Sequence, residues 1–220
     1  MQNNGHGRTF QWFRCENSLL LSQNIRTMTT QRELLRDLET YIGMFGGEAG
    51  RLERFGDFIR RFDGPELYDR KNFVGHITAS GMVYRPETDE LLLLEHVQLK
   101  KWLQPGGHVE PTDASILSAA MREVQEETGL TPQVLSLCTA ESGFAIVDID
   151  SHYIPLCDYK AEDEHYHHDV RFLFALTDEN AAIDLDFNES HDFRWMKVRD
   201  IPDNYGFSRL EAKLPLFYRR

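Results

Sequence analysis

The sequence predicts an α+β fold, an α/β/α sandwich built on a mixed sheet. Three observations carry this reading: short apolar runs of strand length, longer stretches with apolar residues at helical spacing, and an element order without strict alternation. A chain of 220 residues is long enough for one substantial core and too short for two generous catalytic domains. Residues 1–27 begin polar and Gly-rich, and Leu19-Leu20-Leu21 is too short an apolar run for a signal peptide or membrane span. This segment reads as a flexible tail, and Met28, just ahead of a helix-forming sequence, is an alternative start. Residues 28–70 read as a helical extension, with Glu33 to Phe45 and Leu52 to Phe62 at helical spacing around Gly46-Gly47-Glu48-Ala49-Gly50. Such a hairpin packs on its own domain or on a second subunit, so a homodimer is one expectation. Residues 71–220 then form the functional domain.

Within that domain, Ile77 to Tyr84 and Leu91 to His96 are apolar runs joined by the turn-rich Arg85-Pro86-Glu87-Thr88-Asp89-Glu90, which predicts a hairpin. Gln133 to Cys138, Phe144 to Ile149, Val170 to Leu176 and Phe193 to Val198 read as further strands, and Leu210 to Tyr218 as a closing helix.

Between the hairpin and the later strands runs GGHVEPTDASILSAAMREVQEETGL, from Gly106 to Leu130. Ile116, Leu117, Ala120, Met121 and Val124 recur at helical spacing and form an apolar stripe. Asp113 stands where an N-cap is expected and Gly129 where a left-handed C-cap is expected. On this helix Glu127 lies about 40° round from Glu123 and Glu126 about 60° the other way, so three carboxylates share one face. Like charges so close repel, and a hard divalent cation between them turns the repulsion into binding. The expectation is a Mg2+ site, which Mn2+ would also fit.

The run Arg122-Glu123-Val124-Gln125-Glu126-Glu127-Thr128-Gly129-Leu130, with Gly107 upstream, resembles the Nudix box G-x5-E-x7-R-E-U-x-E-E-x-G-U, where U is aliphatic. Asp113 stands where the first Glu belongs, and eight residues rather than seven separate it from Arg122. A looser similarity to bacterial Nudix proteins, through GHxTAS, WLQPGGHVEP and H-x-H-x-D-x-RF segments, extends from about residue 70 to about residue 200. The resemblance implies the Nudix topology and a metal-dependent hydrolase cleaving the pyrophosphate linkage of a nucleoside diphosphate joined to another moiety. It implies that Glu123, Glu126, Glu127 and the backbone carbonyl of Gly106 hold the metal. Arg122 would orient a glutamate through a bidentate pair, and Glu189, in the loop before Phe193, would be a further base or ligand. The alternative is a non-catalytic Nudix-like module that senses a ligand or binds a partner. Retention of all three glutamates and the arginine favours catalysis.

In Glu162 to Arg171, the residues His165, His167, Asp169 and Arg171 alternate, so on a strand they share one face aimed at a substrate pocket or a second metal. His152 is placed to join them. Trp102 or Tyr153 is a candidate to stack on a base or sugar, and Lys100, Lys101 and Arg171 to contact phosphate oxygens. His108-Val109-Glu110 matches the H-x-E of zinc base deaminases, but the partner P-C-x-x-C is missing. An isomerase of prenyl diphosphates would need a catalytic cysteine beside an acid, and Cys138 and Cys157 lack those surroundings. Cys15, Cys138 and Cys157 have no C-x-x-C spacing, which fits a reducing cytoplasm. With 24 basic against 36 acidic residues, the net charge of −12 disfavours adhesion to duplex nucleic acid or an anionic membrane. The expected partner is a small phosphorylated molecule derived from a nucleotide, arriving with its metal.

Overall fold

The structure is a computed structural model that describes residues 28–157 and 162–218. Eight strands form a mixed sheet: β1 (His76–Arg85), β2 (Glu90–His96), β3 (Trp102–Leu103), β4 (Gly106–His108), β5 (Leu135–Leu137), β6 (Ile146–Ile154), β7 (His165–Leu176) and β8 (Ser190–Lys197). Four helices accompany them among the described residues: α1 (Gln31–Met44), α2 (Glu53–Arg61), α3 (Ile116–Thr128) and α4 (Leu210–Phe217). The tail assigned to residues 1–27 lies outside the described residues. None of the described helices is long and apolar enough to cross a membrane.

The order β3-β2-β1-β7-β5 makes β1 and β7 the central pair, and they run parallel in register from His76 opposite His167 to Tyr84 opposite Ala175. All other pairings are antiparallel, with β4 and β2 on the outer edge of β1, and β6 and β5 on that of β7. Side chains of the central strands alternate between two cores. One holds Ile77, Ala79, Val83, Val170, Phe172 and Phe174 with α1, α2 and α3; the other holds Met82, Tyr84, Leu173 and Ala175 with α4. The sandwich expected from the sequence is therefore present, with helices on both faces of the sheet.

Two expectations about local structure are corrected. The N-cap of α3 is Ser115, whose hydroxyl accepts from the Ser118 N–H at 3.1 Å, because Asp113 is turned toward Arg122 instead. The strands expected at Phe144 to Ile149 and Val170 to Leu176 extend into the polar residues between them, as β6 to Ile154 and β7 from His165, with Asp150 opposite Asp169 and His152 opposite His167. Polar residues alternate along both strands, so their mean polarity hides a period of two. The interval Gly46–Leu52 between the two helices of the extension winds as a 3-10 helix that delivers Glu48 and Arg51 to the sheet. The C-cap of α3 is as expected: Gly129 has φ 71° and its N–H bonds to the Gln125 carbonyl at 2.9 Å.

The helical extension is tied to the sheet by a buried ionic network centred on Asp148. Its carboxylate takes hydrogen bonds from Tyr41 Oη at 3.0 Å, Arg51 at 2.8 Å, Arg171 at 3.1 Å and Lys213 Nζ at 2.7 Å. Arg209 approaches to 3.4 Å, and Glu48 shares Tyr41, Arg51 and Lys213. Burial pushes the Asp148 carboxyl up, but Arg171 and Lys213 outweigh it and hold the group below the usual carboxylate range. Removing the central anion leaves buried cations short of a counter-charge, so Asp148→Ala should cost about 3–5 kcal/mol in urea denaturation. A loss under about 1 kcal/mol would refute the central role of this residue.

Candidate active site

The site is assembled where the turn before α3 meets that helix. β4 lies against β1 with Gly106 opposite Ser80 and Gly107 opposite Ala79. A Cβ at Gly107 would stand 2.7 Å from the carboxylate atoms of Glu123, so only glycine lets the strand and this carboxylate approach so closely. The Gly106 N–H donates to Glu127 Oε1 at 2.7 Å. One glycine pair thus sets the position of two glutamates that are a full helical turn apart.

Arg122 fixes the rest. Its Nε and Nη2 donate to the two oxygens of Asp113 at 3.1 and 2.9 Å, its Nη2 to the His108 carbonyl at 2.8 Å, and its Nη1 to Glu123 at 2.8 Å and Glu126 at 2.9 Å. The bidentate partner is therefore Asp113, the residue that replaces the first box acid. Burial lowers the guanidinium pKa, but the bonds to Asp113 and the charge of Glu123 outweigh it and raise it above its ordinary value.

Glu127 is buried, the Glu123 side chain is 12% exposed and that of Glu126 is 59% exposed. Burial raises Glu123 to about 7 against the pull of Arg122, with Glu126 and Glu189 adding repulsion. Burial raises Glu127 to about 8 against the Gly106 N–H, again with repulsion from Glu189 and Glu123. Two desolvated carboxylates with a third at the rim and one shared guanidinium form a donor set suited to a hard divalent cation. Glu189 sits exposed just before β8, its carbonyl taking the Val97 N–H at 2.9 Å, and it adds negative charge to the same site from a different element.

The alternating histidine strand lies on the face that bears α4. His165, His167, Asp169 and Arg171 do share one side of β7, and His76, Thr78 and Ser80 of β1 run beside them. Asp169 accepts from Ser80 Oγ at 2.8 Å, Gln104 at 3.1 Å and Arg171 Nε at 2.8 Å. Arg171 is fully engaged by Asp169, Asp148, Asp150 and the Gly206 carbonyl, which leaves its guanidinium inside the network rather than facing a phosphate. His152 lies across β6 with its ring 5.5 Å from that of His167. Burial and then His165 push His76 down to about 4, and burial and then His76 push His167 far below the usual imidazole range.

Trp102 is half-buried on β3 with the Arg194 guanidinium 4.2 Å above its ring, and Tyr153 is exposed and donates to Glu164 at 2.6 Å. Lys100 and Lys101 are exposed in the β2–β3 turn. Sequence reasoning missed the partnership of Asp113 with Arg122, and it missed His76, Thr78 and Ser80. A polar residue at every second position of β1 was the available signal, masked by the apolar residues between them.

A family model described as NUDIX domain matches residues 75–214. A protein of Lactococcus lactis named "Probable DHNTP pyrophosphohydrolase" is 34% identical over 118 residues, 54% of this chain and 64% of that protein. An Escherichia coli protein named "Uncharacterized Nudix hydrolase NudL" is 28% identical over 121 residues, 49% of this chain and 63% of that one. The chain thus spans less than two thirds of the length of these relatives. Among solved structures, a C. elegans Ap4A hydrolase complex aligns with TM-score 0.46 and 22% identity over 64% of this chain and 93% of that chain.

The raised glutamate values set a pH dependence for the metal-free protein. A carboxyl whose folded-state pKa lies above its unfolded value contributes stability that is fully present below about 4.5. That contribution is lost as pH rises through about 7 for Glu123 and about 8 for Glu127. In chelator, Glu127→Gln should therefore gain in melting temperature on the parent between about pH 5 and about pH 9. Parallel melting curves would refute the burial of an ionising Glu127.

Proposed function

Because the chain belongs to the Nudix family, we propose that it is a Mg2+-dependent pyrophosphohydrolase that cleaves the pyrophosphate linkage of a nucleoside diphosphate joined to another moiety. The observation that carries this reading is the burial of Glu123 and Glu127 against the Gly106-Gly107 turn, with Glu126 at the rim. Desolvated carboxylates that repel one another are costly unless a cation joins them, and their oxygen donors suit Mg2+ or Mn2+. Glu123, Glu126 and Glu127 would hold the ion, with the Gly106 carbonyl as a fourth donor. When bound, the ion neutralises the diphosphate and acidifies water.

The remaining roles follow from where each side chain stands. Arg122 keeps Glu123 and Glu126 on the ligating face by bonding both, and is itself held by Asp113. Glu189, outside the helix yet close enough to repel Glu123 and Glu127, takes a proton from the attacking water. The water oxygen bonds to phosphorus as the bond to the bridging oxygen breaks, and the departing phosphate keeps that electron pair. The His165 and His167 end of β7 and the ring of Trp102 are assigned to the substrate's remaining moiety, while Asp169 and Arg171 hold that strand face in place. The name of the Lactococcus lactis relative supports chemistry at a pyrophosphate. The net charge of −12 and three cysteines without C-x-x-C spacing suit a small anionic substrate brought in with its metal in a reducing cytoplasm.

The two phosphate monoester products should be quantified by chromatography over a panel of nucleoside diphosphate derivatives with and without Mg2+. The expected result is turnover that requires Mg2+ or Mn2+ and falls by about two decades or more in Glu126→Gln/Glu127→Gln. Turnover that survives chelation, or is unchanged in the double variant, would overturn the assignment.

A further inference from the structure

We propose that His76, His165 and His167 form a second metal site, separate from the glutamates, for a divalent transition ion of the zinc class. The three residues come from the two central parallel strands, and each offers a ring nitrogen such that all three atoms lie within 4.8 Å of one another. His165 Nε2 and His167 Nε2 are 3.2 Å apart. Two imidazoles on a tetrahedral zinc ion, with bonds of about 2.0–2.1 Å, hold their nitrogens about 3.3 Å apart, so this pair already has ligand spacing. Bringing the third nitrogen in needs at most about 1.5 Å of movement, within the reach of a ring rotation.

Hydrogen bonding supplies the orientation. His165 Nδ1 lies 2.6 Å from the Asp163 carbonyl. That oxygen only accepts, so the proton sits on Nδ1 and the bare Nε2 lone pair points into the cluster. A ligating histidine is commonly anchored in this way by a carbonyl behind it. The rings are also mutually packed, with centroids 4.9 Å apart for His76 and His165 and 4.6 Å apart for His76 and His167. Several imidazoles so close and so buried cannot all carry charge, which keeps them in the neutral form that binds metal.

The donor chemistry selects the ion. Three nitrogens and no carboxylate favour Zn2+, Co2+ or Ni2+, whereas Mg2+ prefers oxygen. Three protein ligands leave a tetrahedral position for water or a substrate oxygen. His108 borders the site, its Nε2 being 3.1 Å from His76 Nε2, and it directly follows Gly107, which abuts Glu123. The nitrogen site and the oxygen site are thus neighbours that accept different metals, and either can exist without the other.

The test uses the full-length protein, stripped with a chelator and titrated with Co2+. The expected result is one equivalent of Co2+ giving the strong visible bands of a four-coordinate ion, displaced by Zn2+ and resistant to excess Mg2+. His165→Gln and His167→Gln should each weaken this binding by roughly a hundredfold or more, since even loss of an outer partner costs about 10–100-fold. Glu126→Gln/Glu127→Gln should retain it. Bands that persist in both histidine variants, or vanish in the glutamine double variant, would overturn the proposal. Proton NMR of the wild-type Co2+ form gives a reading independent of whether the variants fold. Paramagnetically shifted imidazole N–H signals support the site, and their absence overturns it.

Discussion

The arrangement depends on one close approach, that of the Gly106-Gly107 backbone to the carboxylate face of α3. A Cβ at Gly107 would press on the Glu123 carboxylate and one at Gly106 on Ser80 of β1, and the Gly106 N–H bonds directly to Glu127. The contact strips water from two carboxylates and so makes them both strained as neighbours and receptive to a cation. The helix tolerates this because its opposite side is anchored: Ile116, Ala120 and Val124 are buried against the sheet, and Gly81 leaves room for Val124. Arg122 works at the rim of the same contact. By tying Asp113, the His108 carbonyl, Glu123 and Glu126 to one guanidinium, it joins the turn, β4 and the helix into a single unit.

The second constraint is the polar stripe that crosses the middle of the sheet. From His76, Thr78 and Ser80 on β1 to Asp169 and Arg171 on β7 and Asp148 and Asp150 on β6, alternate side chains on one face are polar before the same strands continue into Met82, Leu173 and the α4 core. A buried polar face of this extent is stable only because its members satisfy one another: Arg171 alone meets Asp148, Asp150 and Asp169. The histidines occupy the end of the stripe where the ion pairs stop. There, the hydrogen bonds run between imidazoles.

How much of this was legible in the sequence depended on the range of the signal. The helix carrying Glu123, Glu126 and Glu127 was readable because its apolar stripe, its acidic face and its Gly129 cap all lie within a few turns of chain. The strands were readable where apolar residues dominated and were drawn too short where they did not. β6 extends to Ile154 and β7 begins at His165, because hydrogen bonding to a neighbour continues after hydrophobicity ends. Asp113 was misjudged because an acid ahead of a helix is a good cap in isolation, and only the fold shows that Arg122 competes for it with two hydrogen bonds. His76 escaped notice since its partners, His165 and His167, are some 90 residues away, and β1 pairing beside β7 is a tertiary fact.

The Asp148 network has a consequence for the order in which the molecule is made. Tyr41 and Lys213 meet at its centre although 172 residues separate them, and Tyr41 reaches Asp148 across 107. Contacts at such separations close late, after the entropy of the intervening loops has been paid. During ribosomal synthesis, which runs from the N-terminus, Tyr41 and Arg51 emerge long before the lysine that completes their circle. Until α4 leaves the exit tunnel, the Asp148 network lacks Lys213 and the sheet face that α4 covers stays open.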